Sequence, residues 1–256
     1  MTASSLKIFA LILLCGLTTA IQGQVQPNPA DGDGDPAREA QIQNLTQMVA
    51  TALQERELDK ARQSLEEALE LAPDNDQILG LYGALLIYEK SYDEARTVYR
   101  GLLERQPENY SSIWNLAEIE FLTDNYGPSR ELLRTLQEKN ESDEMVSYKI
   151  GLTYLLEDDI AKAQAEFEKI EFPSDTPAYY FAQAALAFKQ DNPTEAHSWV
   201  QESARIFPFQ HNALFADSLI EKGVLKLEEI LPGFSITDPV PDENVTPELG
   251  SNLLPE

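Results

Sequence analysis

Leu58–Pro107 reads LDKARQSLEEALELAPDNDQILGLYGALLIYEKSYDEARTVYRGLLERQP, and this stretch decides the fold. Ala61, Leu65, Ala68 and Pro73 recur 34 residues on as Ala95, Tyr99, Leu102 and Pro107. A period of that length is one helical hairpin written twice, so the chain is a repeat array. Ala61 and Ala95 are small residues near the start of a second helix, where two antiparallel helices must approach closely. Leu65 and Leu69, matched by Tyr99 and Leu103, continue an apolar stripe one and two turns further along. Pro73 and Pro107 stand just past those helices, where proline ends a helix and restricts the residue before it. The first helix of the second copy carries Leu79, Tyr82, Gly83 and Leu86, with Gly83 leaving room for a neighbour.

These residues resemble the tetratricopeptide repeat, and the same register continues along the chain. A third unit has Ile113, Leu116 and Ala117, then Ser129, Leu133 and Leu136, and departs from the pattern at Glu120 and Glu141. The fourth has Ile150, Gly151, Tyr154, Ala163, Phe167 and Ile170. The fifth, one residue out of phase, has Tyr180, Ala184, Ala187, Ala196, Val200, Ala204 and Pro208. Leu45, Met48 and Val49 stand in the first unit, the least complete. The resemblance implies an all-α fold, a right-handed α-solenoid of five hairpins that with a capping helix spans residues 39–226. Leu214, Phe215, Leu219 and Ile220 share a helical face, so residues 211–226 are expected to cap the fifth hairpin as the first helix of an unfinished sixth.

The ends read differently. Lys7 followed by the apolar run Ile8–Leu17, with Thr18, Thr19 and Ala20 after it, has the form of a signal peptide over residues 1–20. It implies export to a periplasm or cell exterior and a mature start at Ile21. Cys15 invites a lipid anchor, but Leu13 and Leu14 fill positions that need small residues, so anchoring is disfavoured. Residues 21–38 read as a flexible linker. Asp31, Asp33 and Asp35 alternate with glycine like a calcium loop, but Pro36 and Ile42 occupy its sixth and twelfth positions and spoil it. Residues 227–256 read as an extended or disordered acidic tail.

Cys15 is the chain's one cysteine, so its loss with the signal removes disulfides, thiol catalysis and cysteine metal sites together. Lys and Arg number 19 against 44 Asp and Glu, a net charge of −25. Nucleic acid and anionic membranes are repelled by such a surface, whereas basic peptides are attracted. His197 and His211 have no partner at metal or triad spacing, and no phosphate loop or nucleophile elbow is present. The expectation is a non-enzymatic protein without cofactor or metal.

What remains is the inside of the superhelix. The resemblance implies that first helices line a concave groove, placing Tyr88, Trp114, Glu118, Phe121, Tyr148, Leu152, Phe181 and Phe188 on it. The family's cluster of Lys, Arg and Asn that grips a peptide carboxylate is missing at these positions. An apolar face this large needs a cover. Three covers compete: an apolar or basic segment of a partner, the chain's own Leu231–Val240, or neighbouring hairpins packed tightly against each other. The expected function is therefore an exported binding scaffold, with assembly of an envelope or secretion complex implied by the resemblance and the signal. The alternative is a self-associating repeat protein whose groove is filled by its own tail or a second copy.

Overall fold

The 34-residue period is written into the turns of the backbone. In the computed structural model, which describes residues 36–230, Arg56, Lys90, Asp124 and Asp158 take positive φ of 56, 60, 62 and 65°. Asp191 follows with φ 54°, one residue early, as the phase slip of the fifth unit requires. Each residue closes a helix in the left-handed conformation. The next amide, of Glu57, Ser91, Asn125, Asp159 or Asn192, donates to the carbonyl of Ala52, Leu86, Glu120, Tyr154 or Ala187 at 2.8–3.0 Å. A non-glycine residue pays roughly 1–2 kcal/mol for that conformation. Lys90 is exposed, so Lys90→Gly is expected to stabilise the fold by about 1 kcal/mol, read as a higher urea midpoint at unchanged slope.

Eleven α-helices are formed among the described residues: α1 Pro36–Gln54, α2 Leu58–Leu71, α3 Asp76–Tyr88, α4 Tyr92–Arg105, α5 Tyr110–Leu122, α6 Tyr126–Lys139, α7 Glu144–Leu156, α8 Ile160–Phe167, α9 Ala178–Lys189, α10 Pro193–Ile206 and α11 Phe209–Glu221. They pair as five hairpins with α11 following. Helix α1 begins at Pro36, inside the stretch expected as linker. Asn75, Asn109 and Asp143, again 34 apart, cap α3, α5 and α7 by accepting from the first free amides.

First and second helices differ in what they bury. Helix α4 buries a stripe of Ala95, Tyr99 and Leu102, the pattern of a surface helix. Helix α5 buries every residue from Ser112 to Phe121, so it is enclosed on all sides. Two glycines permit the closest contacts: a Cβ on Gly83 would lie 2.7 Å from the Tyr99 ring, and one on Gly151 2.2 Å from the Phe167 ring. Small residue and aromatic ring are matched across each hairpin, and Gly151→Ala is expected to cost about 1–3 kcal/mol by forcing that ring aside.

The departures from the repeat pattern are compensated locally. Glu120, in the place of a tyrosine, receives Arg96 Nε at 2.8 Å and Asn125 Nδ2 at 3.0 Å. His197, on α10, meets Glu229 at 2.7 Å and stands edge-on to the Phe188 ring. Residues 227–230, expected within the tail, form a 3-10 turn that buries Ile230. The signal segment 1–20 and Leu231–Val240 lie outside the described residues.

Candidate functional site: a concave face holding its own helix

Of the expected groove residues, Phe121, Tyr148, Leu152 and Phe181 gather on one face, and α11 lies across them. Phe215 of α11 packs its ring 5.5 Å from Tyr148 and 6.3 Å from Phe181, and Tyr148 donates its hydroxyl to the Phe215 carbonyl at 2.9 Å. Burial pushes the Tyr148 hydroxyl far above its ordinary pKa, so it remains a donor. Leu152, Phe181, Phe215 and Leu219 share one core with Phe121. At the far end of α11, the Lys222 ammonium reaches Asp124 at 2.6 Å and the Leu122 carbonyl at 3.4 Å, and sits over the rings of Phe121 and Tyr126. Its hydrogen bond and that from the Tyr126 hydroxyl hold the Asp124 carboxyl below the usual carboxylate range.

Helix α11 thus caps the fifth hairpin and also turns back over the fourth and third. Phe207 and Pro208 are extended and set this direction. A buried latch holds it: Ser203 Oγ donates to Asn212 Oδ1 at 2.5 Å, and Asn212 Nδ2 donates to the Phe207 carbonyl at 2.9 Å.

Beneath α11, Glu118 and Lys149 form a bidentate ion pair at 2.7 and 2.8 Å. The Lys149 side chain is 1% exposed, and its ammonium lies 4.4 Å from the centre of the Phe121 ring. Phe121 is therefore held between two ammonium groups. Glu118, expected to meet a basic partner, is occupied by a lysine of the next first helix.

Asp217 of α11 enters the same region. Burial pushes its carboxyl up to about 7, with Lys149 and Arg56 pulling the other way and Glu221 and Glu118 reinforcing the rise. A carboxyl that moves from 3.8 to about 7 on docking holds a proton that the released helix gives up. Docking is therefore strongest below about pH 4, weakens as pH rises between about 4 and 7, and bears its full cost above that. Asp217→Asn is expected to flatten this slope and to add about 2 kcal/mol at pH 8 but not at pH 4, read by urea unfolding at both.

The remaining groove residues are placed unevenly. Trp114 is 2% exposed and turns into the seam between the third and fourth hairpins with Leu133, Leu136, Val146 and Ile150. It is core between neighbours and lines no open surface. Tyr88 is half-buried under the Arg56 guanidinium, 5.6 Å from its ring. Phe188 is partly buried at the edge of the α9 and α11 contact. Lys149 and Asp217 carry the charge of this face. Sequence reading missed both, although Lys149 is the one cation on α7. Among the described residues no cluster of His, Cys, Asp and Glu suits a metal, and no helix is long and apolar enough to cross a membrane.

The fold defines a class, the all-α solenoid of stacked helical hairpins. Residues 52–116 match the family model of the tetratricopeptide repeat. A tetratricopeptide repeat protein from Parabacteroides merdae is similar in structure at TM-score 0.52 and 19% identity, over 72% of this chain and 75% of that one. A double mutant of MamA from RS-1 is similar at TM-score 0.52 and 17% identity, over 67% and 94%. No protein of curated function matches the sequence. The sequence likeness to the tetratricopeptide repeat is thus confined to residues 52–116, and the likeness in fold extends over 67–72% of the chain.

Proposed function

We propose that this protein is an exported scaffold whose concave face receives an apolar, helix-forming segment of a partner protein, and that α11 occupies that face until the partner displaces it. The observation that carries the reading is the seating of α11 itself: an amphipathic helix already lies there, anchored through Phe215 and Leu219. Helix-in-groove recognition uses such anchors one turn apart. Glu118 is already paired with Lys149 beneath the face, and Asp217 is the group that docking of α11 drives to take up a proton, so the face favours an apolar partner helix with a neutral residue where α11 brings Asp217. Exchange of such a residue for Asp217 removes the proton uptake that docking of α11 requires.

The test is a fluorescent peptide of residues 209–226 added to a chain that ends at Phe207. Binding in the micromolar range, strengthened at pH 8 when Asp217 in the peptide is replaced by asparagine, supports the reading. A folded truncated chain that ignores both peptides sinks it. Export rests on Lys7 and Ile8–Leu17 alone; it predicts that the N-terminal residue of the processed protein is Ile21, which Edman degradation or mass spectrometry reads directly.

A further inference from the structure

A cavity of about 140 Å³ lies between α7, α9 and the C-terminal half of α11. Its walls are apolar, with Leu152, Leu156, Phe188 and Leu219 among them. Its size is close to the roughly 150 Å³ apolar cavity that accepts one benzene ring in an engineered protein core. Two features distinguish it from a packing defect. Ser218, 2% exposed, lines it, and the Ser218 hydroxyl has no hydrogen-bond partner among the described residues. A buried hydroxyl left unbonded is costly, and natural structures rarely retain one without a use. Lys189 and Lys222 also line it, in a chain whose net charge is −25. Their present partners, Asp158 and Asp124, have side chains 81% and 72% exposed, so both carboxylates can return to water at little cost when another anion arrives.

We propose that this cavity binds a small monocarboxylate bearing one aromatic ring or a short acyl chain. The apolar body fills the space between α7 and α9. The carboxylate accepts from the Ser218 hydroxyl and from the ammonium groups of Lys189 and Lys222. Because Ser218 and Leu219 belong to α11 and Lys222 directly follows it, an occupied cavity also fastens α11 to the concave face. This goes beyond the scaffold reading: the site exists while α11 is docked and requires no partner.

The test titrates phenylacetate into the full chain by calorimetry, with phenylethanol and phenylethylamine as neutral and cationic analogues of similar size. The expected result is saturable binding of one phenylacetate, at least tenfold weaker binding of the alcohol, and none of the amine. Lys189→Met, a change at the rim, is expected to weaken phenylacetate about tenfold, and Ala185→Phe, which fills the cavity from α9, to abolish binding while circular dichroism stays native. The assignment is overturned if phenylacetate does not bind at millimolar concentration, if the alcohol binds as tightly, or if Lys189→Met leaves the affinity unchanged. None of these outcomes bears on the peptide experiment above, so the two readings fail separately.

Discussion

Lys149→Met is expected to destabilise the protein by about 3–5 kcal/mol, the largest loss from any single charged residue here. The substitution keeps the length of the side chain and removes its charge, so packing against Phe121 survives. What it leaves behind is a Glu118 carboxylate that is 9% exposed and has lost both of its short contacts with Lys149. Removing one partner of a buried pair costs far more than the pair itself contributes, because the remaining charge must be paid for in desolvation. The double change Lys149→Met with Glu118→Leu is therefore expected to recover most of the loss. Urea unfolding of the two single variants and the double variant measures this cycle. A Lys149→Met protein as stable as the parent would mean that Glu118 is hydrated in solution and that the inner face is open.

Phe215→Ala is the second large effect. The ring touches Tyr148 and Phe181, and loss of a buried phenylalanine typically costs about 3–5 kcal/mol. Here the cost has a ceiling. Repeat arrays lose terminal elements without global collapse, so once the ring's contribution exceeds the docking energy of α11 the helix leaves and the hairpins stay folded. The expected unfolding curve has two steps, an early one for α11 and a later one for the array. A single step with an unchanged midpoint would mean that α11 is not held by this ring.

The sequence disclosed the solenoid because its information is local and repeated. Gly83 and Tyr99 recur as Gly151 and Phe167, and Arg56, Lys90, Asp124 and Asp158 fall at equal spacing in the turns. Each is fixed by contacts within one hairpin or with the next. The cover of the groove is different in kind. Phe215 meets Tyr148 and Lys222 meets Asp124 across 67 and 98 residues of chain, and no period links such pairs. The face of α11 with Leu214, Phe215, Leu219 and Ile220 was legible as apolar; which surface it would meet depended on how Phe207 and Pro208 direct the chain. Trp114 shows the other limit. A large ring on a first helix fits a groove and a seam equally by spacing, and only the curvature of the stack turns it inward between hairpins. Asp217 is half-buried against Lys149 and Arg56, which its own helix does not reveal, since both are distant in sequence.

The measurement that tests the account most directly is amine labelling of the native chain, read residue by residue by mass spectrometry. Lys60, with a side chain 70% exposed, serves as the internal reference for Lys149, which is 1% exposed beneath α11. If α11 fills the concave face, Lys149 labels far more slowly than Lys60 in the parent protein and approaches it when Phe215 and Leu219 are both changed to alanine. Labelling of Lys149 as fast as Lys60 in the parent protein would contradict the account, because the face would then be open to solvent and α11 would lie elsewhere.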